Sequence, residues 1–81
     1  MKTIELADLL KREGYDHRWY SFDRAAPPIE GYILESVHGR WIIFYFERGE
    51  TRDIANFELE SDACDYLYRR MQQVYGPKTD P

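Results

Sequence analysis

The stretch Gly31-Tyr32-Ile33-Leu34-Glu35-Ser36-Val37-His38-Gly39-Arg40-Trp41-Ile42-Ile43-Phe44-Tyr45-Phe46-Glu47 decides the fold. It is dense in β-branched and aromatic residues, which suit a pleated, half-buried surface. His38-Gly39 interrupts it, and glycine adopts positive φ without steric cost, so the stretch predicts a hairpin of strands 31–37 and 40–47. A two-residue turn sets Val37 opposite Arg40, Leu34 opposite Ile43 and Ile33 opposite Phe44. The second strand is apolar on both faces and therefore belongs at the centre of a sheet. One face should meet helices. The other should stay partly apolar and show Tyr32, Trp41 and Tyr45, or their neighbours one register step away.

Helices flank this hairpin region. In residues 3–13, Leu6, Leu9 and Leu10 recur at helical spacing. Thr3 is the expected N-cap, Glu5 and Asp8 suit the positive end of the helix dipole, and Lys11 and Arg12 suit the other end. Gly14 is a left-handed stop, over which Tyr15 can fold. Residues 61–75 form the second helix, with Ser61 as expected N-cap and an apolar stripe of Cys64, Leu67, Tyr68, Met71, Val74 and Tyr75. Arg69 and Arg70 fall on its expected outer face, and Gly76-Pro77 ends it.

Two further strands complete the set. Arg18–Asp23 reads as a short, aromatic edge strand, followed by a loop through Pro27-Pro28. Residues 53–59 read as a strand of ambiguous parity, because Ala55, Phe57 and Leu59 share one face while Ile54 sits on the other; a bulge would resolve the conflict. The order is α-β-β-β-β-α: a two-layer α+β domain over residues 1–76, an antiparallel sheet of three to four strands with both helices on one face, and a frayed tail at 77–81.

Composition excludes several function classes. Hydrophobic residues make up 43% of the 81-residue chain, which is too many for intrinsic disorder. No apolar run reaches the ~20 residues of a membrane span, and the acidic start lacks the apolar core of a signal peptide. The single cysteine, Cys64, excludes an internal disulfide, and the expected compartment is the reducing cytoplasm. Fifteen acids against eleven bases disfavour a nucleic-acid partner held by its phosphates. The imbalance is local: residues 50–65 carry Glu50, Asp53, Glu58, Glu60, Asp62 and Asp65 against Arg52 alone, net −5.

No catalytic, metal-binding or cofactor-binding constellation emerges. His17 and His38 fall in turns without ligand spacing. Cys64 lies on a buried stripe beside acids, which hold a thiol protonated. Ser21, Ser36 and Ser61 lack a glycine-rich elbow, and no phosphate-cradling glycine motif is present. A glycosidase-type carboxylate pair needs a deep cleft, for which a chain this short has little room. An enzyme is therefore not expected. Thirteen aromatics, among them Trp19, Tyr20, Tyr32, Trp41 and Tyr45, either fill a thin core or mark an interface beside the acids.

The pattern W…Y-x-E-R-G in Trp41–Gly49, followed by F-x-x-E-x-x-A-C-x-Y-L in Phe57–Leu67, resembles small bacterial immunity proteins of polymorphic-toxin and contact-dependent growth inhibition systems. The resemblance covers residues 30–68. It implies neutralisation of a cognate toxin domain, often a nuclease with a basic cleft, by tight stoichiometric binding. The expected partner-facing residues are Glu50, Asp53, Glu58, Glu60 and Asp62, with Tyr66 as an aromatic anchor. Complementary charge would speed association with such a partner. The competing expectation is a homo-oligomeric interaction module that pairs through the apolar sheet face or an edge strand, with no toxin involved.

Overall fold

The computed structural model describes residues 1–76; the tail at 77–81 lies outside the described residues. The elements are α1 (Thr3–Arg12), a 3-10 turn (His17–Trp19), β1 (Tyr20–Ser21), β2 (Gly31–Val37), β3 (Arg40–Glu47), β4 (Glu50–Phe57) and α2 (Glu60–Tyr75). The chain is thus a small α+β domain of order α-β-β-β-β-α, with an open sheet in the order β1-β2-β3-β4.

The central hairpin has the register that a two-residue turn dictates. Val37 pairs with Arg40, Leu34 with Ile43 and Ile33 with Phe44. His38 and Gly39 both have positive φ, 51° and 81°, and Arg48 and Gly49 repeat this at 53° and 80°. Positive φ at both central residues gives the turn the twist of the strands it joins, so β2, β3 and β4 form a continuous meander. In β4, Ala55 pairs with Ile43 but Asp53 pairs with Phe44, which leaves Ile54 as an extra residue. This bulge reconciles the conflicting parity of Ile54 and Ala55.

Parity then sorts the side chains. Tyr32, Leu34 and Ile43 join Leu6, Leu10, Tyr15, Ala63, Cys64, Leu67 and Met71 in one buried cluster between sheet and helices. Trp41 and Tyr45 pack against the same cluster. The aromatic trio expected on the far face is therefore on the helix face, and its neighbours Ile33, Ile42, Phe44 and Phe46 take the far side. Burying an apolar side chain contributes about 1.5–3 kcal/mol, which favours covering β3 on both sides. Ile33 is 0% and Phe44 4% exposed. The loop after β1 crosses this side: the Arg24 guanidinium lies 4.9 Å from the Phe44 ring centroid, and its backbone N–H and Nε donate to Glu35 at 2.7 and 3.0 Å.

That crossing changes the first strand. Only Tyr20 and Ser21 pair, with Tyr32 and Ile33, and they run parallel to β2, so the sheet is mixed rather than wholly antiparallel. The preceding residues turn away from strand geometry because the Asp16 carboxylate accepts both the backbone N–H and the guanidinium of Arg18. The Arg18 hydrogen bonds hold that carboxyl well below the usual carboxylate range.

The helix caps also differ from expectation. Lys2, not Thr3, precedes α1, and its backbone N–H donates to Glu5 at 2.8 Å. Thr3 instead donates from its N–H and Oγ1 to Glu60 Oε2, at 2.8 and 3.1 Å. Leu59, not Ser61, occupies the cap position of α2. One carboxylate, Glu60, thus lies in the first turn of α2 and binds an orphan N–H of α1, stabilising two positive helix ends at once. At the other end of α1, Tyr15 N–H bonds Leu10 O and Gly14 N–H bonds Lys11 O, the double closure of a Schellman motif. Tyr15 OH donates to the Gly76 carbonyl, and Tyr68 OH donates to Glu13 at 2.8 Å. Val74 departs from the expected stripe and is 50% exposed.

Two measurements test these contacts. A Cβ at Gly31 would sit on the Trp19 carbonyl, whereas one at Gly39 meets nothing within 4 Å despite its positive φ. G31A should therefore cost about 3 kcal/mol or more and G39A about 1 kcal/mol in urea denaturation; equal losses would remove the close approach of β1 to β2. Alkaline stability is the second. The Glu13 hydrogen bond pushes Tyr68 up to about 12, and burial pushes Tyr75 up to about 12. Folded values above the unfolded ~10 mean that stability is intact below pH 10 and is lost as pH rises toward 12. E13Q should bring one tyrosine's absorbance titration back toward 10 and leave Tyr75 unmoved.

Candidate partner-binding surface

The acidic segment spans β4 and the first turns of α2, and the two elements distribute its side chains differently. Glu50 opens β4 directly opposite Glu47, beside the Arg48-Gly49 turn. Asp53 pairs with Phe44 and so points to the far face. Glu58 lies between β4 and α2, with its side chain 83% exposed and 3.3 Å from Arg40. Asp62 and Asp65 are exposed on the first turns of α2. Glu60 is half-buried and committed to Thr3.

The six expected contact residues therefore do not make one patch. A strand rises about 3.3 Å per residue, so Glu50 stands roughly 20 Å from the Glu58–Asp62 end. That end carries Glu58, Asp62 and Asp65, three exposed acids, of which Glu58 alone is in an ion pair among the described residues, with Arg40. Tyr66 lies elsewhere. It is half-buried, its ring centroid is 5.5 Å from that of Phe57, and its OH accepts from Arg70 at 3.1 Å.

Arg70 is the residue whose placement sequence reasoning missed. It does not project outward with Arg69; it turns back over Tyr66, 5.7 Å from the ring centroid. Its Nε is buried and has no hydrogen-bond partner among the described residues. A buried donor left unmet costs about 1–3 kcal/mol. With Tyr32, Tyr45, Arg52 and Ile54 it lines a cleft of about 210 Å³. Arg52 stands over Tyr45, 5.9 Å from its ring centroid, and Tyr45 makes an edge contact with Tyr32 at 5.1 Å. The bulge builds this cleft, because it returns Ile54 toward the helix side between Arg52 and Ala55. One signal was present in the sequence: Arg52 is the sole base within residues 50–65.

Other clefts are also on the surface. One of about 350 Å³ is lined by Arg18, Trp19, Ile29, Glu30 and Tyr75, where Trp19 and Tyr75 stack at 4.2 Å. Among the described residues, no group of three His, Cys, Asp or Glu side chains is placed to hold a metal ion. Among the same residues, no helix is long and apolar enough to cross a membrane.

Cys64 is fully buried, and burial, aided by Glu60 and Asp65, pushes its thiol up to about 11. At pH 8 iodoacetamide should label the native protein at least about a hundredfold more slowly than the urea-unfolded chain. Comparable rates would mean that α2 opens readily. Comparison with protein-family models, curated proteins and solved structures finds no match.

Proposed function

We propose that the chain is an immunity-type binding protein that neutralises a cognate toxin domain, a nuclease with a basic cleft, by stoichiometric contact in the cytoplasm. The observation that carries this reading is the run of exposed acids Glu58, Asp62 and Asp65 at the junction of β4 with α2, of which Glu58 pairs with Arg40. Like charges gathered at a surface repel one another, and a basic partner relieves that repulsion while speeding encounter. Glu60 is removed from the contact set because it holds α1, and Tyr66 because it faces Arg70.

A second reading rests on β4 itself. It is an edge strand of eight residues, and its outer side is unpaired among the described residues. Such an edge can add a strand from a second copy. The bulge at Ile54 and the charges of Glu50, Arg52 and Asp53 oppose that pairing, so self-association ranks behind toxin binding.

The test uses the protein encoded beside this chain, expressed as an inactive variant, in surface plasmon resonance at two salt concentrations. The triple variant E58K/D62K/D65K should weaken Kd by about a hundredfold, chiefly through association rate and more at low salt. E50K/D53K should have a smaller effect. Equal Kd for wild type and triple variant sinks the acidic-end interface. Absence of binding together with a concentration-dependent dimer in sedimentation favours the β4-edge reading.

A further inference from the structure

We propose that the cleft between β4 and α2 is an oxyanion site, in which Arg52 and Arg70 clamp a carboxylate or phosphate group over a floor of Tyr32 and Tyr45. Three observations carry it. Both guanidiniums line the same cleft. Neither has a carboxylate within ion-pair distance among the described residues, a state they share with Arg48 and Arg69 but not with Arg12, Arg18, Arg24 and Arg40. The Arg70 Nε is buried without an acceptor, so its resting placement leaves one donor unmet.

The chemistry suits a planar or tetrahedral oxyanion. A guanidinium offers Nε and Nη as a parallel fork, which matches two oxygens of one anion. Arg70 spends one Nη on the Tyr66 hydroxyl and needs an acceptor for Nε. A small rotation that turns its Nε edge into the cleft gives that donor its partner and brings the group toward Arg52. Arg52 rests over the Tyr45 ring of that floor, and Arg70 over the ring of Tyr66 on its own helix. The Glu30 carboxylate accepts from Tyr45 OH at 3.5 Å, and neither it nor Glu47 lies within ion-pair distance of Arg52 or Arg70 among the described residues.

This site does not depend on the toxin reading. The test is a titration of the labelled full chain with sodium phosphate and, separately, sodium acetate, at ionic strength held constant with sodium chloride. The arginine Nε–Hε resonances are followed by NMR. Saturable shifts of the Arg52 and Arg70 signals, with Kd on the order of millimolar, are expected. Saturation by phosphate alone assigns a phosphoryl ligand, and saturation by both anions assigns a carboxylate-accepting site. R52Q changes an exposed side chain and preserves the fold; it should weaken binding about tenfold, the loss of one charge-assisted contact. R69Q, outside the clamp, should leave Kd unchanged. Shifts that fail to saturate, that chloride reproduces, or that R52Q leaves unaltered overturn the proposal.

Discussion

Ile43 and Phe44 are adjacent on β3, point to opposite sides of the sheet, and are both buried. That constraint shapes the rest of the molecule. A strand apolar on both faces must be covered twice, but both α-helices of the described residues lie on the same side. The second cover is a loop, and its connection across the sheet makes β1 run parallel to β2. Gly31 is the point where this works, since only a residue without a Cβ lets the Trp19 carbonyl approach β2 so closely. The Arg24–Phe44 and Arg24–Glu35 contacts then hold the loop down with polar groups that remain hydrated at their outer edges.

The features that local patterning governs were legible. Two-residue turns set register by counting, so every pairing expected of the β2–β3 hairpin follows from His38-Gly39. The stop at Gly14 and the buried positions Leu6, Leu10, Cys64, Leu67 and Met71 follow from helical period. The bulge was legible only as a conflict between Ile54 and Ala55. What was not legible depends on partners distant in sequence. Thr3 and Ser61 both look like caps, but local propensity does not reveal a carboxylate 57 residues away that takes over at Thr3. The stretch 18–23 looks like a strand, but Asp16 captures Arg18 before pairing can begin.

The acidic segment shows the same division for the candidate surface. Its charge was legible as composition. Its shape was not, because β4 stretches the acids apart while α2 gathers them, and the boundary between the two regimes falls at Leu59. Sequence proximity therefore overstated the size of the patch and understated the role of Glu60, which serves the fold. Arg70 was assigned to an outer face because it follows Arg69. The α2 positions Ala63, Leu67 and Met71 face the core. Arg70, one residue before Met71, lies on their flank, within reach of Tyr66 and the β4 edge.

The outcome is a small surface divided by charge. Acids stand at the junction of β4 with α2, while Arg52 on β4 and Arg70 on α2, neither with a carboxylate partner among the described residues, face one cleft between the two elements. Like groups kept together without neutralisation are costly to the isolated protein. The Arg48-Gly49 turn sets the register that turns Arg52 to the helix side and Asp53 to the far face, and the bulge at Ile54 shifts the parity only of the residues that follow. The turn thus fixes the side that each charge of β4 occupies, and beyond those charges comes the bulge. The bulge both blunts β4 as an edge for self-pairing and opens the arginine-lined cleft, so the irregularity that protects the strand also shapes the cleft.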